Sequence, residues 1–119
     1  MDRKQMEQRT RSFALRSIRL YQELRGSEAG RVIGRQLLRS ATSVGANYRA
    51  SGRARSHAEF IAKLGIVEEE ADESCYWLEL IIEAGLVEQK LVEPLLNEAN
   101  EITAIVVTMR RTAKTKRKS

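Results

Sequence analysis

Between Ser56 and Ala84 the apolar positions return at alternating steps of four and three: Phe60, Leu64, Val67, Ala71, Ser74, Leu78 and Ile81. That spacing holds them on one face of an α-helix and predicts one long helix with a single core-facing stripe. Ser56, three positions before Glu59, predicts a capping box in which each side chain satisfies an orphaned backbone N–H. Gly85 supplies a left-handed residue to close the far end, so the helix is expected over about 57–84. A stripe this long needs partners of similar length, and the alternation recurs three times. Phe13, Ser17, Leu20 and Leu24, flanked by Leu15, Ile18 and Tyr21, predict a helix over about 9–25. Ile33, Leu37, Ala41, Val44 and Tyr48 predict one over about 31–52, and Leu95, Ala99, Ile102, Val106 and Met109 one over about 93–110. The breaker-rich link from Gly26 to Gly30 is short, which implies antiparallel neighbours. The expectation is an all-α, antiparallel up-down-up-down four-helix bundle filling residues 1–110.

A second row on the second helix, Gln36, Ser40, Ser43, Asn47 and Ala50, is small and polar. Gly45 lies inside the same helix, where glycine costs about 0.8–1 kcal/mol relative to alanine. Close approach of a partner helix, with Asn47 bonded across to it, is the expected reason; a ligand site is the alternative. Gly26, Gly30 and Gly34 recur every four residues, but no Gly-Lys-Ser/Thr follows and no strand precedes, which argues against a P-loop. Pro94 allows the last helix to begin near Glu93, or a first turn at Gln89 to Val92 joined to it by a bend. The ending RRTAKTKRKS holds one apolar residue, Ala113, so residues 111–119 are expected to be a basic, frayed tail.

At 119 residues the chain fits one domain, and 42% hydrophobic content is that of an ordinary globular protein. No apolar run approaches the roughly 18–20 residues that span a bilayer, and Asp2, Arg3 and Lys4 open no secretory signal, so a cytoplasmic location is expected. With Cys75 the only cysteine and His57 the only histidine, neither an intrachain disulfide nor a Cys/His zinc site can form. Glu68, Glu69, Glu70, Asp72 and Glu73 lack the histidines that carboxylate-bridged metal centres use. No metal, no cofactor and no catalysis are therefore expected. Tyr76 and Trp77 lie outside any basic stretch and read as packing anchors rather than base-stacking platforms.

Net charge is +5, yet its distribution is uneven: +9 over residues 1–55, −9 over 56–100 and +5 over 101–119. Two explanations fit. The basic and acidic parts pair, within the chain or across a subunit boundary, for example Glu73 with Arg39; or unpaired cations face a polyanion.

The stretch LLRSATSVGANYRASGRARSHAEFIAKLGIVEEEADESCYWLELI, residues 37–81, resembles the 23S rRNA intervening-sequence protein family of bacteria. An R-S-x-x-S-[IV]-x-x-N pattern falls on Arg39, Ser40, Ser43, Val44 and Asn47. An E-x-x-E/D…W-L-E-L pattern falls on Glu69, Glu70, Asp72, Glu73, Trp77, Leu78, Glu79 and Leu80. The resemblance extends more loosely over the first and last helices. It implies an up-down-up-down bundle that assembles as a homopentameric ring. It also implies kinship with the accessory proteins of diversity-generating retroelements, basic pentamers that associate with reverse transcriptase and nucleic acid.

Two functions follow. One is a non-enzymatic oligomer that binds RNA or DNA through phosphates, using Arg16, Arg19, Arg31, Arg35, Lys114, Lys116, Arg117 and Lys118. The other is a protein-interaction scaffold or accessory subunit whose charges serve subunit pairing.

Overall fold

Asp2 sets the start of the first helix. Its carboxylate accepts the Gln5 N–H at 2.8 Å, and the Gln5 side-chain oxygen accepts the Asp2 N–H at 2.9 Å, a complete capping box. Helix α1 therefore runs Arg3–Leu24 rather than from about residue 9, and Met6 and Thr10 extend its buried seam. The computed structural model describes the backbone of residues 1–118 and the side chains of residues 1–116. Beyond α1, the described residues form α2 (Glu28–Ser51), α3 (His57–Glu83) and α4 (Gln89–Lys118), with no strand. Ser27 caps α2 by accepting the Gly30 N–H at 3.0 Å. At Ser56 only half of the expected box forms: the hydroxyl accepts the Glu59 N–H at 3.0 Å, but the Glu59 carboxylate turns to Arg55 Nε at 3.4 Å. Gly85 adopts φ 64°, and the N–H groups of Gly85 and Leu86 close α3 onto Ile82 and Ile81, the Schellman arrangement.

The helices make a body of 51 × 21 × 20 Å. Helix α2 packs on α1 and α3, α3 packs on α4, and a slighter contact joins α1 to α4. Rising numbers on one helix meet falling numbers on the next: Arg3 reaches Tyr48 and Ser51, Thr10 faces Gly45, and Tyr21 faces Gly34. Between α3 and α4, His57 meets Ala113 and Cys75 meets Asn100. The seams converge on one core in which Phe13, Leu37, Val44, Leu64, Leu78, Ile102 and Val106 are buried. Each such side chain contributes about 1.5–3 kcal/mol by leaving water. Phe60 and Ile33 are only half-buried; Ile61 takes the seam position in α3, while Gly30 and Gly34 bring α2 against α1.

Across α2 and α3 the hydroxyls of Ser40 and Ser74 lie 2.8 Å apart, so the small polar row does include an interhelical bond. Asn47 does not supply it. Its amide donates to Ser43 O on its own helix at 2.9 Å, the local bond an Asn makes when no partner side chain is opposite. Pro94 sits inside α4, with buried Val92 before it and buried Leu95 after it. The carbonyl that loses its N–H partner, that of Lys90, belongs to an exposed residue and is open to water. Residues 111–118 continue α4 instead of fraying. Ala113 is buried there and its carbonyl lies 2.8 Å from His57 Nε2, while Ala, Lys and Arg are good helix formers.

Candidate nucleic-acid interface

On α2 the side chains of Arg35, Thr42, Ala46 and Arg49 keep helical spacing, Arg53 follows in the turn after the helix, and all five are exposed. Thr42 and Ala46 are small, so the flanking guanidinium groups stand above the surface. A shallow groove of about 180 Å³ runs over Gly45 between Arg11 of α1 and Arg49 of α2. Arg49 also borders a second groove, of about 550 Å³, with Arg53 and with Lys63 of α3. The result is a cationic track across three helices, Arg11, Arg49, Arg53 and Lys63, of which none has a carboxylate within ion-pair distance among the described residues. Glu7 and Glu59 border the same grooves but pair with Arg3 at 3.6 Å and Arg55 at 3.4 Å.

Around the other side of α3, Arg110, Arg111 and Lys114 line a groove of about 220 Å³ with Glu68. The Arg110 guanidinium lies over Gly65, where a Cβ would stand 3.2 Å from its Nε. That nitrogen is buried without a hydrogen-bond partner, and Glu68 is 3.9 Å from Nη1.

Of the residues singled out in sequence, Arg16 and Arg19 border a groove of about 530 Å³ between α1 and α4, with Glu23, Leu91 and Pro94. Lys114 lies some twenty residues further along α4 than that groove, about 30 Å at 1.5 Å per residue. Helix geometry thus separates the expected set into two ends. Arg31 is engaged locally, paired with Glu28 at 2.9 Å and donating to Arg25 O at 2.9 Å. Arg35 is exposed, and Lys116 lines a further groove with Arg3 and His57. The side chains of Arg117 and Lys118 lie outside the described residues. The expected set left out Arg11, Arg49, Arg53 and Lys63; Arg49 and Arg53, four residues apart where α2 gives way to the following turn, were the available signal.

The motif residues are structural neighbours of one another. Arg39 Nη1 lies 3.2 Å from Glu70, Arg39 Nη2 contacts Glu73, and the Trp77 indole N–H donates to Glu73 at 3.3 Å. Trp77 packs on the core, but Tyr76 does not: it is 53% exposed and meets only the edge of Trp77, ring centroids 5.1 Å apart. On the opposite flank Glu98 grips Arg9 at 2.7 and 2.8 Å, and this bond holds the guanidinium pKa above its ordinary value. Among the described residues no cluster of three or more His, Cys, Asp or Glu side chains could hold a metal ion, and no helix is long and apolar enough to cross a membrane.

Residues 3–108 match the model of a protein family described as 23S rRNA-intervening sequence protein. The fold is also similar to a crystal structure of a protein of unknown function from the S23 ribosomal protein family of Bacteroides thetaiotaomicron. That protein is 36% identical, with a TM-score of 0.82, over 88% of this chain and 97% of the other. No curated protein matches.

Proposed function

The chain belongs to the 23S rRNA-intervening sequence protein family, and from that premise we propose that it is a non-enzymatic nucleic-acid-binding protein whose ligand is RNA. The observation that carries this reading is the track of Arg11, Arg49, Arg53 and Lys63, four exposed or half-buried cations across three helices with no carboxylate paired to them among the described residues. Phosphates docking along such a track displace condensed counterions, so binding is independent of sequence and strongly dependent on salt. Arg111 and Lys114 extend the basic surface past α3. The proposal includes an up-down-up-down bundle that assembles as a homopentameric ring in the cytoplasm, presenting one such track per subunit.

Fluorescence anisotropy with a single-stranded RNA oligonucleotide over a salt series tests it. Changing Arg49, Arg53 and Lys63 together to Gln should flatten the slope of log K against log salt by about 2, at roughly 0.7 per lost phosphate contact. Replacing Arg16 and Arg19 should matter less, because Glu23 borders their groove. Binding that ignores salt, or survives the triple change undiminished, refutes the reading.

A second reading rests on the outer face of α3. Glu69, Asp72, Glu79 and Glu83 are exposed there and have no cation paired to them among the described residues. If that face meets the basic track of a neighbouring copy, the protein is a scaffold and its cations are consumed by assembly. Purified protein free of nucleic acid, with an assembly that falls apart in high salt, would favour it.

A further inference from the structure

Thr42 occupies the middle of the basic face of α2. Arg35, Thr42 and Arg49 recur every seven residues, close to two helical turns, so the threonine stands about 10.5 Å along the axis from each arginine at 1.5 Å per residue. All three are exposed, and neither arginine has a carboxylate within ion-pair distance among the described residues. Arg11 of α1 lines the same groove as Thr42 and Arg49; Glu7 lines it too, but is paired with Arg3 at 3.6 Å. The Thr42 hydroxyl spends its one proton on its own helix, donating to Leu38 O at 2.6 Å with Arg39 O at 3.3 Å. Toward a ligand its oxygen therefore offers lone pairs and no proton. A phosphate oxygen only accepts and gains nothing there; a hydroxyl that donates does. The groove's second hydroxyl, on Thr10, is fully buried and donates to Met6 O at 3.0 Å. No aromatic ring lines this groove or the one beyond Arg49. Tyr76, 53% exposed, stands on α3 between exposed Asp72 and Glu79, whose charges repel phosphate.

We propose that the basic track binds an A-form RNA duplex and that Thr42 accepts a hydrogen bond from a ribose 2′-hydroxyl, an inference that rests on reading the track as a phosphate surface. Three observations select that ligand. Along α2 the order is cation, acceptor, cation, which matches phosphate, 2′-hydroxyl, phosphate across the wide, shallow minor groove of an A-form helix. DNA has phosphates in plenty but no hydroxyl for Thr42 to accept from. A single strand has the hydroxyl, but it must be ordered on binding, and the track has no ring on which its bases could stack to offset that cost. A duplex arrives with its phosphates already held in place, and cations on rigid helices meet them without rearrangement.

The test uses the full chain and fluorescence anisotropy with labelled, mixed-sequence duplexes of about 16 base pairs, each over a salt series. An RNA duplex is compared with the DNA duplex of the same sequence, with the single RNA strand, and with a 2′-fluoro RNA duplex, which keeps the A form but has no O–H to donate. At any one salt concentration the unmodified RNA duplex should bind most tightly, by about fivefold over the 2′-fluoro duplex, the size of one net hydrogen bond. Thr42→Val should bring the RNA duplex down to the 2′-fluoro duplex, and Thr42→Ser should keep the two apart. The inference is overturned by equal affinity for the RNA and 2′-fluoro duplexes, or by DNA or the single strand binding as tightly as the RNA duplex. A Thr42→Val protein of native circular dichroism that still separates the two duplexes overturns it as well. In each of these cases salt-dependent binding leaves the phosphate track standing; salt-independent binding, or none, overturns the track and the inference together. Should Thr42→Val alter the circular dichroism, the 2′-fluoro comparison on the unchanged chain decides.

Discussion

Gly30 and Gly45 stand on the same helix and answer differently to an added methyl group. A Cβ at Gly30 would overlap the Leu24 carbonyl oxygen, a backbone atom that cannot swing away, whereas one at Gly45 would meet Thr10 at 3.4–3.5 Å, ordinary contact. Gly30→Ala should therefore destabilise by about 2 kcal/mol or more, as overpacking does. Gly45→Ala should be neutral or stabilise by up to about 1 kcal/mol, the helix-propensity difference. Thermal melts of the two variants check this; equal shifts would be inconsistent with the packing described. Cys75 gives a second case. Burial, chiefly, pushes its thiol pKa above the ordinary 9.0, and burial raises Tyr48 above 10.0. Both groups are acids that the fold keeps neutral, so above about pH 9 the unfolded chain holds fewer protons and stability falls as pH rises. Urea midpoints should be flat from pH 7 to 8.5 and decline beyond pH 9, and Cys75→Ala should remove the first part of that decline. A midpoint that climbs with alkali would contradict the assignment.

At the scale of an element, α4 carries the unusual features. Pro94 is its sixth residue and removes one rung of the backbone ladder at an exposed position, while Val92 and Leu95 tie the segments on either side to the core. Apolar burial overrides the local preference of proline to begin a helix. Pro94→Ala should restore the missing bond and raise stability by about 1–3 kcal/mol, read as a higher melting temperature. No gain would mean that the stiffness proline lends the unfolded chain offsets the bond. The far end of α4 makes the same point in reverse: one buried Ala113 and its contact with His57 accompany a helix that a run of cations continues.

Across the whole molecule, charge is segregated by helix rather than mixed. Among the described residues, exposed cations without a carboxylate partner occupy α1 and α2 and exposed carboxylates without a cation occupy the outside of α3, and α1 and α3 are not backbone neighbours. Such a surface favours head-to-tail association of identical copies, and a heterologous contact that closes gives a ring. Exposed Leu15 and Ile18 on α1, and Ile66 and Tyr76 on α3, add apolar area to both faces. Light scattering at about 50 mM salt should give a multiple of the 13.5 kDa chain mass, with five copies expected. Raising salt should weaken the assembly only in part, because apolar contacts are not screened. A single-chain mass at low salt would end the ring proposal.

Four helices and most of the core were legible in the sequence, because steps of three and four mark a buried face whatever lies opposite it. Leu37, Leu64, Ala71, Leu78, Ile102 and Val106 are buried where the pattern put them. The expected start of α1 near residue 9 was too late, although Asp2 with Gln5 and the seam positions Met6 and Thr10 carried the signal for the earlier one. The basic track was not legible. Arg11, Arg49 and Lys63 come from three helices and Arg53 from the turn after α2, and only their packing sets these side chains along one pair of grooves. Packing likewise left Asn47 bonded to its own helix and parted Arg16 and Arg19 from Lys114, whereas the pairing of Arg31 with Glu28, three residues apart on α2, was open to reading from the sequence. Periodicity along one chain fixes which side of a helix meets the interior; which exterior charges become neighbours depends on how far each helix extends beside the next, and that is settled in three dimensions.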